Sequence, residues 1–225
     1  MADVRGQLLP IYMVADESAS MEDSIDELNA GLASLHAALL AEPMAAAKVR
    51  FSVLGFSDDV VVRLHLADVR RSDELPALES RGRTNYAEVF ETLLRQIPRD
   101  VAALKASHYQ VHRPAVFFLS DGQPNEGGAW REAHRQLTDR NSHSSAPNII
   151  ACGIGQAEPE TILRVATRSE FAFLAIEGAR VGSAIATFCT ALTRSIVASG
   201  RTMGTANAEL VVDRPEGFRL AIDVI

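Results

Sequence analysis

Ala115–Leu119 (AVFFL) is a run of five consecutive apolar residues, ended at once by Ser120-Asp121-Gly122. A strand with one wet face alternates apolar and polar side chains. An unbroken run needs cover on both faces, which helices packed on a parallel sheet supply. Leu9–Ala15 and Ile149–Ile154, the latter closed by Gly155, read the same way, and Phe171–Ile176 adds a further strand. Helical periodicity fills the gaps. Ser20–Ala41 places Ile25, Leu28, Leu32, Leu35 and Leu39 on one face. Its first turn is acidic, as the helix dipole favours, and Pro43 follows its end. Residues 85–97 carry Tyr86, Val89, Phe90, Leu93 and Ile97 at helical spacing, with Pro98 marking a kink or the end. Trp130–Arg140, a helix opened by Pro159, and a long amphipathic helix from Val181 to Gly200 complete the alternation.

Lys48–Phe56 and Val60–Leu66 are joined only by Ser57-Asp58-Asp59, so they must pair antiparallel. Together these elements predict an α/β fold: a doubly wound, mostly parallel six-stranded sheet with helices on both faces. The expected strand order is 3-2-1-4-5-6, with Val60–Leu66 as the antiparallel edge strand. Residues 105–114 read as a polar loop. Near the C-terminus, Leu210-Val211-Val212 and Phe218–Ile225 flank a turn-like Asp213–Gly217. The chain therefore divides into one domain over 1–205 and an extension over 206–225, expected to form a β-hairpin or an edge strand. A length of 225 residues suits one large domain.

Charge and apolar content narrow the function classes. The chain holds 22 Lys and Arg against 29 Asp and Glu, a net charge of −7, which argues against a nucleic-acid partner. No run approaches the roughly 18 apolar residues of a membrane span. Leu8–Ala15 is interrupted by Pro10 and stopped by Asp16-Glu17, so it reads as a buried strand rather than a secretion signal, and the expected location is cytoplasmic. Cys152 and Cys189 lie in apolar segments and read as buried thiols. His108 and His112 are four apart, but no third ligand lies near them in the sequence.

In doubly wound sheets, ligands bind beyond the carboxyl ends of the strands, where the strand order reverses. The first strand ends in Asp16-Glu17-Ser18-Ala19-Ser20, and AVFFL runs into Ser120-Asp121-Gly122. The loop before the helix at 85–97 holds Gly82-Arg83-Thr84. Neighbouring strands lie about 4.8 Å apart. If the first strand and AVFFL are neighbours, Asp16 and Asp121 face each other with Ser18, Ser20 and Thr84 around them. Such an all-oxygen set suits a hard divalent cation, and Mg²⁺ takes six oxygens at about 2.1 Å. Singly, the residues have plainer readings: Ser18, Ser20 and Thr84 as helix caps, and Asp16 and Asp121 as turn residues.

Asp16-x-Ser18-x-Ser20, Thr84 in Gly-x-Thr and Asp121 in Ser-Asp-Gly resemble, in order and separation, the metal-ion-dependent adhesion site (MIDAS) of von Willebrand factor A (VWA) domains. LPIYMVADESASM, FSVLGFSDD and FFLSDGQPNE look most like the bacterial TerY-like branch, associated with tellurium resistance and stress operons. The resemblance implies direct ligation of Mg²⁺ or Mn²⁺ by Ser18, Ser20 and Thr84, with Asp16 and Asp121 acting largely through water. It implies an open position filled by an Asp or Glu of a protein partner. It also implies a stress-response or phospho-signalling setting, with a kinase or phosphatase of the same operon as candidate partner.

This chain departs from the pattern at Glu17, Ala19 and Arg83. Arg83, pointing outward, could pair with an acidic partner. Glu17 and Trp130 are the other expected partner contacts, and Glu126 could extend the polar rim. Among rival readings, an Mg²⁺-dependent phosphoryl-transfer enzyme of the Asp-x-Asp type needs a second carboxylate where Ser18 stands. Neither a Gly-x-Ser-x-Gly elbow nor a G-x-G-x-x-G loop after the first strand is present. A binding protein rather than an enzyme is therefore expected, with a metal-independent VWA scaffold as the alternative.

Overall fold

The computed structural model describes residues 5–124, 128–176, 178, 180–203 and 210–223. Glu126, and residues 206–209 and 224–225 of the C-terminal extension, lie outside the described residues. The strands are β1 (Gly6–Asp16), β2 (Val49–Phe56), β3 (Val60–Ala67), β4 (Tyr109–Val111), β5 (Ala115–Ser120), β6 (Asn148–Gly153), β7 (Ala172–Ala175) and β8 (Phe218–Leu220). The helices are α1 (Ile25–Leu40), α2 (Pro43–Ala46), α3 (Tyr86–Ala106), α4 (Trp130–Thr138), α5 (Pro159–Val165) and α6 (Val181–Thr202).

The sheet runs β3-β2-β1-β5-β6-β7-β8, with β4 paired to the start of β1. The strands from β2 to β7 along this path are parallel, and β3 and β8 close the two edges antiparallel. The expected order is present, with two strands more than the expected six. Strand β4 arises inside the stretch read as a polar loop; three residues are too few to show a period. Strand β8 comes from the C-terminal extension.

Alternate residues of β1 feed opposite cores, which is why its sequence is apolar throughout. Leu9, Ile11, Met13 and Ala15 join α1 and α6 on one face. Tyr12 and Val14 join Tyr86, Phe90, Trp130 and Ile162 on the other. Helix α6 has the length and hydropathy of a membrane span, but here its apolar residues pack against α1 and the sheet.

Three other expectations change in detail. The first helix is preceded by a 3-10 turn over Ala19–Ser24, so the α-helix proper begins at Ile25. Pro98 does not end α3, which continues to Ala106. A proline inside a helix costs about 3 kcal/mol; here the second half is held by buried Val101 and by Asp100, which accepts a 2.8 Å hydrogen bond from the buried Tyr12 hydroxyl. Residues 210–213 form no ribbon with β8. The buried Ser195 and Ser199 of α6 take the backbone N–H groups of Asp213 and Val211 instead, each at 2.9 Å.

Candidate metal centre

β1 and β5 are hydrogen-bonded neighbours, and the chain leaves them in opposite directions across the sheet. The cleft between them is therefore the switch point, and the five expected oxygen donors gather on its rim. Asp16, the last residue of β1, is fully buried. Its Oδ1 accepts from the Ser18 amide at 2.9 Å, and its Oδ2 from the Ser120 hydroxyl at 2.5 Å. The Ser18 and Ser20 hydroxyls are 3.0 Å apart, and Ser20 donates to Asp121 Oδ1 at 2.8 Å. Residues 18 and 20 thus bridge the two carboxylates, Ser18 through its amide to Asp16 and Ser20 through its hydroxyl to Asp121, with their two hydroxyls in contact. Thr84 joins them from the loop before α3: its hydroxyl lies 3.4 Å from where a Cβ on Gly122 would stand. The Ala19 amide donates to the Gly82 carbonyl at 3.1 Å, tying the two loops together.

Burial pushes the Asp16 carboxyl up to about 6, against the pull of its hydrogen bonds from Ser120 and Ser18, and Asp121 adds a smaller upward push. Burial also raises Asp121, opposed by the Ser20 hydrogen bond. Among the described residues, both carboxylates are held by neutral donors alone.

Glu17, next in sequence, contrasts with Asp16. It is fully buried, and Arg63 donates to its Oε1 from Nε at 2.9 Å, with Nη2 of the same ion pair also 2.9 Å from that oxygen. Arg81 Nε reaches its Oε2 at 2.8 Å, and the Glu79 amide its Oε1 at 3.1 Å. The close approach explains Gly55, where an added Cβ would lie 2.2 Å from the Glu17 carboxyl carbon. Glu17 is therefore not a partner contact: it is enclosed and neutralised within the chain, and it fastens the Asp16 loop to β3 and to the Thr84 loop. Trp130 is likewise corrected. It is buried against Tyr86, Phe90 and His134, because α4 turns its apolar side onto α3. Arg83 is exposed beside Thr84. Sequence reasoning missed Arg63, Arg81 and Ser120. Of these only Ser120 carried a signal, as the strand-end residue before Asp121.

The donor set fits a hard divalent ion. It offers two carboxylates and three hydroxyls, and among the described residues no arginine or lysine is bonded to Asp16 or Asp121. Among the described residues, no group of three or more His, Cys, Asp or Glu side chains converges, so a softer nitrogen- or sulfur-rich metal site is not formed there. His112 bonds to Gln7 at 2.8 Å. Cys152 and Cys189 are buried free thiols, both raised by burial.

No protein-family model matches this sequence, and no curated protein does. Solved structures do match. The vWF domain of the type V pili tip protein Mfa5 from Porphyromonas gingivalis superposes with a TM-score of 0.57 at 10% identity, over 85% of this chain and 95% of that one. A von Willebrand factor type A structure from Catenulispora acidiphila gives 0.54 at 14% identity, over 85% of this chain and 43% of that one. Proximal thread matrix protein 1 from the mussel byssus, with a zinc-occupied MIDAS motif, gives 0.54 at 16% identity, over 85% and 46%. The chain spans less than half the length of the mussel protein, 46% to 49% across its structures. The fold is thus the doubly wound fold of VWA domains.

Proposed function

We propose that this chain is a divalent-metal-dependent protein-binding domain, acting as an adaptor rather than an enzyme. Ser18, Ser20 and Thr84 would hold Mg²⁺ or Mn²⁺ through their hydroxyls, and Asp16 and Asp121 would supply the balancing charge. The ion would offer its open position to an Asp or Glu of a protein partner. The observation that carries this reading is Asp16, a fully buried carboxylate whose donors among the described residues are all neutral, joined through Ser18 and Ser20 to a second carboxylate. Leaving such a charge unpaired in a dry site is costly, and a cation offsets that cost. The zinc-occupied MIDAS motif of the mussel protein lends support from the same fold. Arg83, exposed beside Thr84, would meet acidic residues flanking the one at the metal. With Leu8–Ala15 read as a buried strand, we take the location to be cytoplasmic; from the resemblance to the TerY-like branch we take the setting to be stress response or phospho-signalling, with a kinase or phosphatase as partner. Residues 1–205 would be the binding domain, and 206–225 an extension that completes the sheet edge.

Thermal unfolding with and without Mg²⁺ tests the reading. A ligand at a hundredfold its dissociation constant stabilises by about 2.7 kcal/mol. A rise of that order is expected for the wild type and none for Asp16→Ala or Asp121→Ala. A melting temperature indifferent to Mg²⁺ and Mn²⁺ would favour the metal-independent scaffold. Phosphate-ester turnover lost in Asp16→Asn would favour the enzyme.

A further inference from the structure

A second cavity of about 300 Å³ opens on the same rim, beyond the ends of β6 and β7. Gly153, Ile154, Gln156, Pro159, Leu174 and Arg219 are among its walls. Arg219 is the one charged side chain among the described residues that line it, and no carboxylate faces it there. Its place follows from the pairing of β8 with β7, which sets Arg219 opposite Leu174 and on the same face. The Arg219 Nε–H is buried and meets no acceptor. A buried donor without a partner costs about 1–3 kcal/mol, more when the group is charged. Among the described residues Arg219 has no ion pair, in a chain whose net charge is −7.

The cavity is also coupled to the candidate metal centre. Gly155, at φ +57°, lets the chain turn back so closely that an added Cβ would lie 3.4 Å from the Asp121 Cβ. The next amide, Gln156 N–H, donates to the Asp121 carbonyl at 3.0 Å. The residues that wall the cavity therefore also brace the Asp121 loop.

We propose that this cavity is an oxyanion subsite read by Arg219, taking a second acidic group of the same protein partner. The identity of the partner rests on the metal-mediated reading above; the subsite itself does not. A guanidinium presents a planar set of donors that matches carboxylate and phosphoryl oxygens, so either a carboxyl or a phosphorylated side chain meets the chemistry.

The test uses the full chain, stripped of metal, and titrates inorganic phosphate and, separately, acetate at constant ionic strength while following the backbone amides by NMR. Saturable shifts of Gly155, Gln156 and Ala157 are expected with at least one anion. They should be abolished in Arg219→Gln, weakened several-fold in Arg219→Lys, and retained in Asp16→Ala. The stronger anion tells a phosphoryl from a carboxyl ligand. Mg²⁺ stabilisation should persist in Arg219→Gln, so failure of the metal reading and failure of the subsite are separately visible. No saturable shift with either anion, or shifts unchanged in both Arg219 variants, would overturn the proposal.

Discussion

Asp16 and Glu17 are consecutive, both fully buried, and both acidic, yet the protein treats them in opposite ways. Glu17 is answered from within, by Arg63 and Arg81. Asp16 receives, among the described residues, only hydroxyl and amide hydrogen bonds, and burial drives its carboxyl up to about 6. The alternation of a strand explains how this is possible, since neighbours point to opposite sides. The difference separates two jobs. One carboxylate is a structural clamp that needs nothing from outside. The other is a charge the chain does not neutralise, set beside a second carboxylate at the point of the fold where ligands bind.

The comparison breaks first at Glu17. Removing one partner of a buried ion pair strands the other and costs about 3–5 kcal/mol. Glu17→Ala should therefore lower the free energy of urea unfolding by that order, whether or not Mg²⁺ is present. If it unfolds like the wild type, the clamp is not structural. Gly55→Ala should move stability in the same direction, because the added methyl group displaces the Glu17 carboxyl.

Asp16 should behave differently, and with pH. Its folded carboxyl lies above its ordinary 3.8, at about 6. The fold therefore holds the proton more tightly than the unfolded chain does. The stability this contributes is present below about pH 4 and is lost as pH rises toward 6. At about 1.4 kcal/mol per pH unit, the loss is of the order of 2–3 kcal/mol in metal-free protein. Asp16→Asn should remove that component, so the difference in stability between variant and wild type should change by that amount across this range. A difference that does not vary with pH would count against an unneutralised Asp16.

Ser120→Ala sharpens the same contrast on a smaller scale. It deletes the 2.5 Å hydrogen bond to Asp16, should cost about 1–2 kcal/mol, and should move the Asp16 titration still higher. Arg83→Ala is expected to do least. The side chain is exposed, so stability should change by no more than about 0.5 kcal/mol and Mg²⁺ stabilisation should be unchanged.

The parts of this picture that were legible in the sequence share one property: their signals are local. Apolar runs such as Ala115–Leu119 mark strands buried on both faces, and Asp16, Ser18, Ser20, Thr84 and Asp121 each stand where an element begins or ends. Glu17 was misread because its partners, Arg63 and Arg81, lie 46 and 64 positions away and nothing in its own segment announces them. Trp130 follows a Gly-Gly stretch that suggests exposure, whereas its burial depends on Tyr86 and Phe90 of another helix. Strand β4 is too short for a period, and the fate of residues 210–213 is decided by two serines inside α6.

The central claim, that the rim of β1 and β5 holds a divalent ion, is tested most directly by titrating metal-free protein with Mn²⁺ and following the free ion by electron paramagnetic resonance. One ion per chain should leave the free pool, Mg²⁺ should compete it off, and Asp16→Asn and Asp121→Asn should abolish the uptake. Uptake that survives both substitutions, or a wild-type chain that takes up none, would contradict the account.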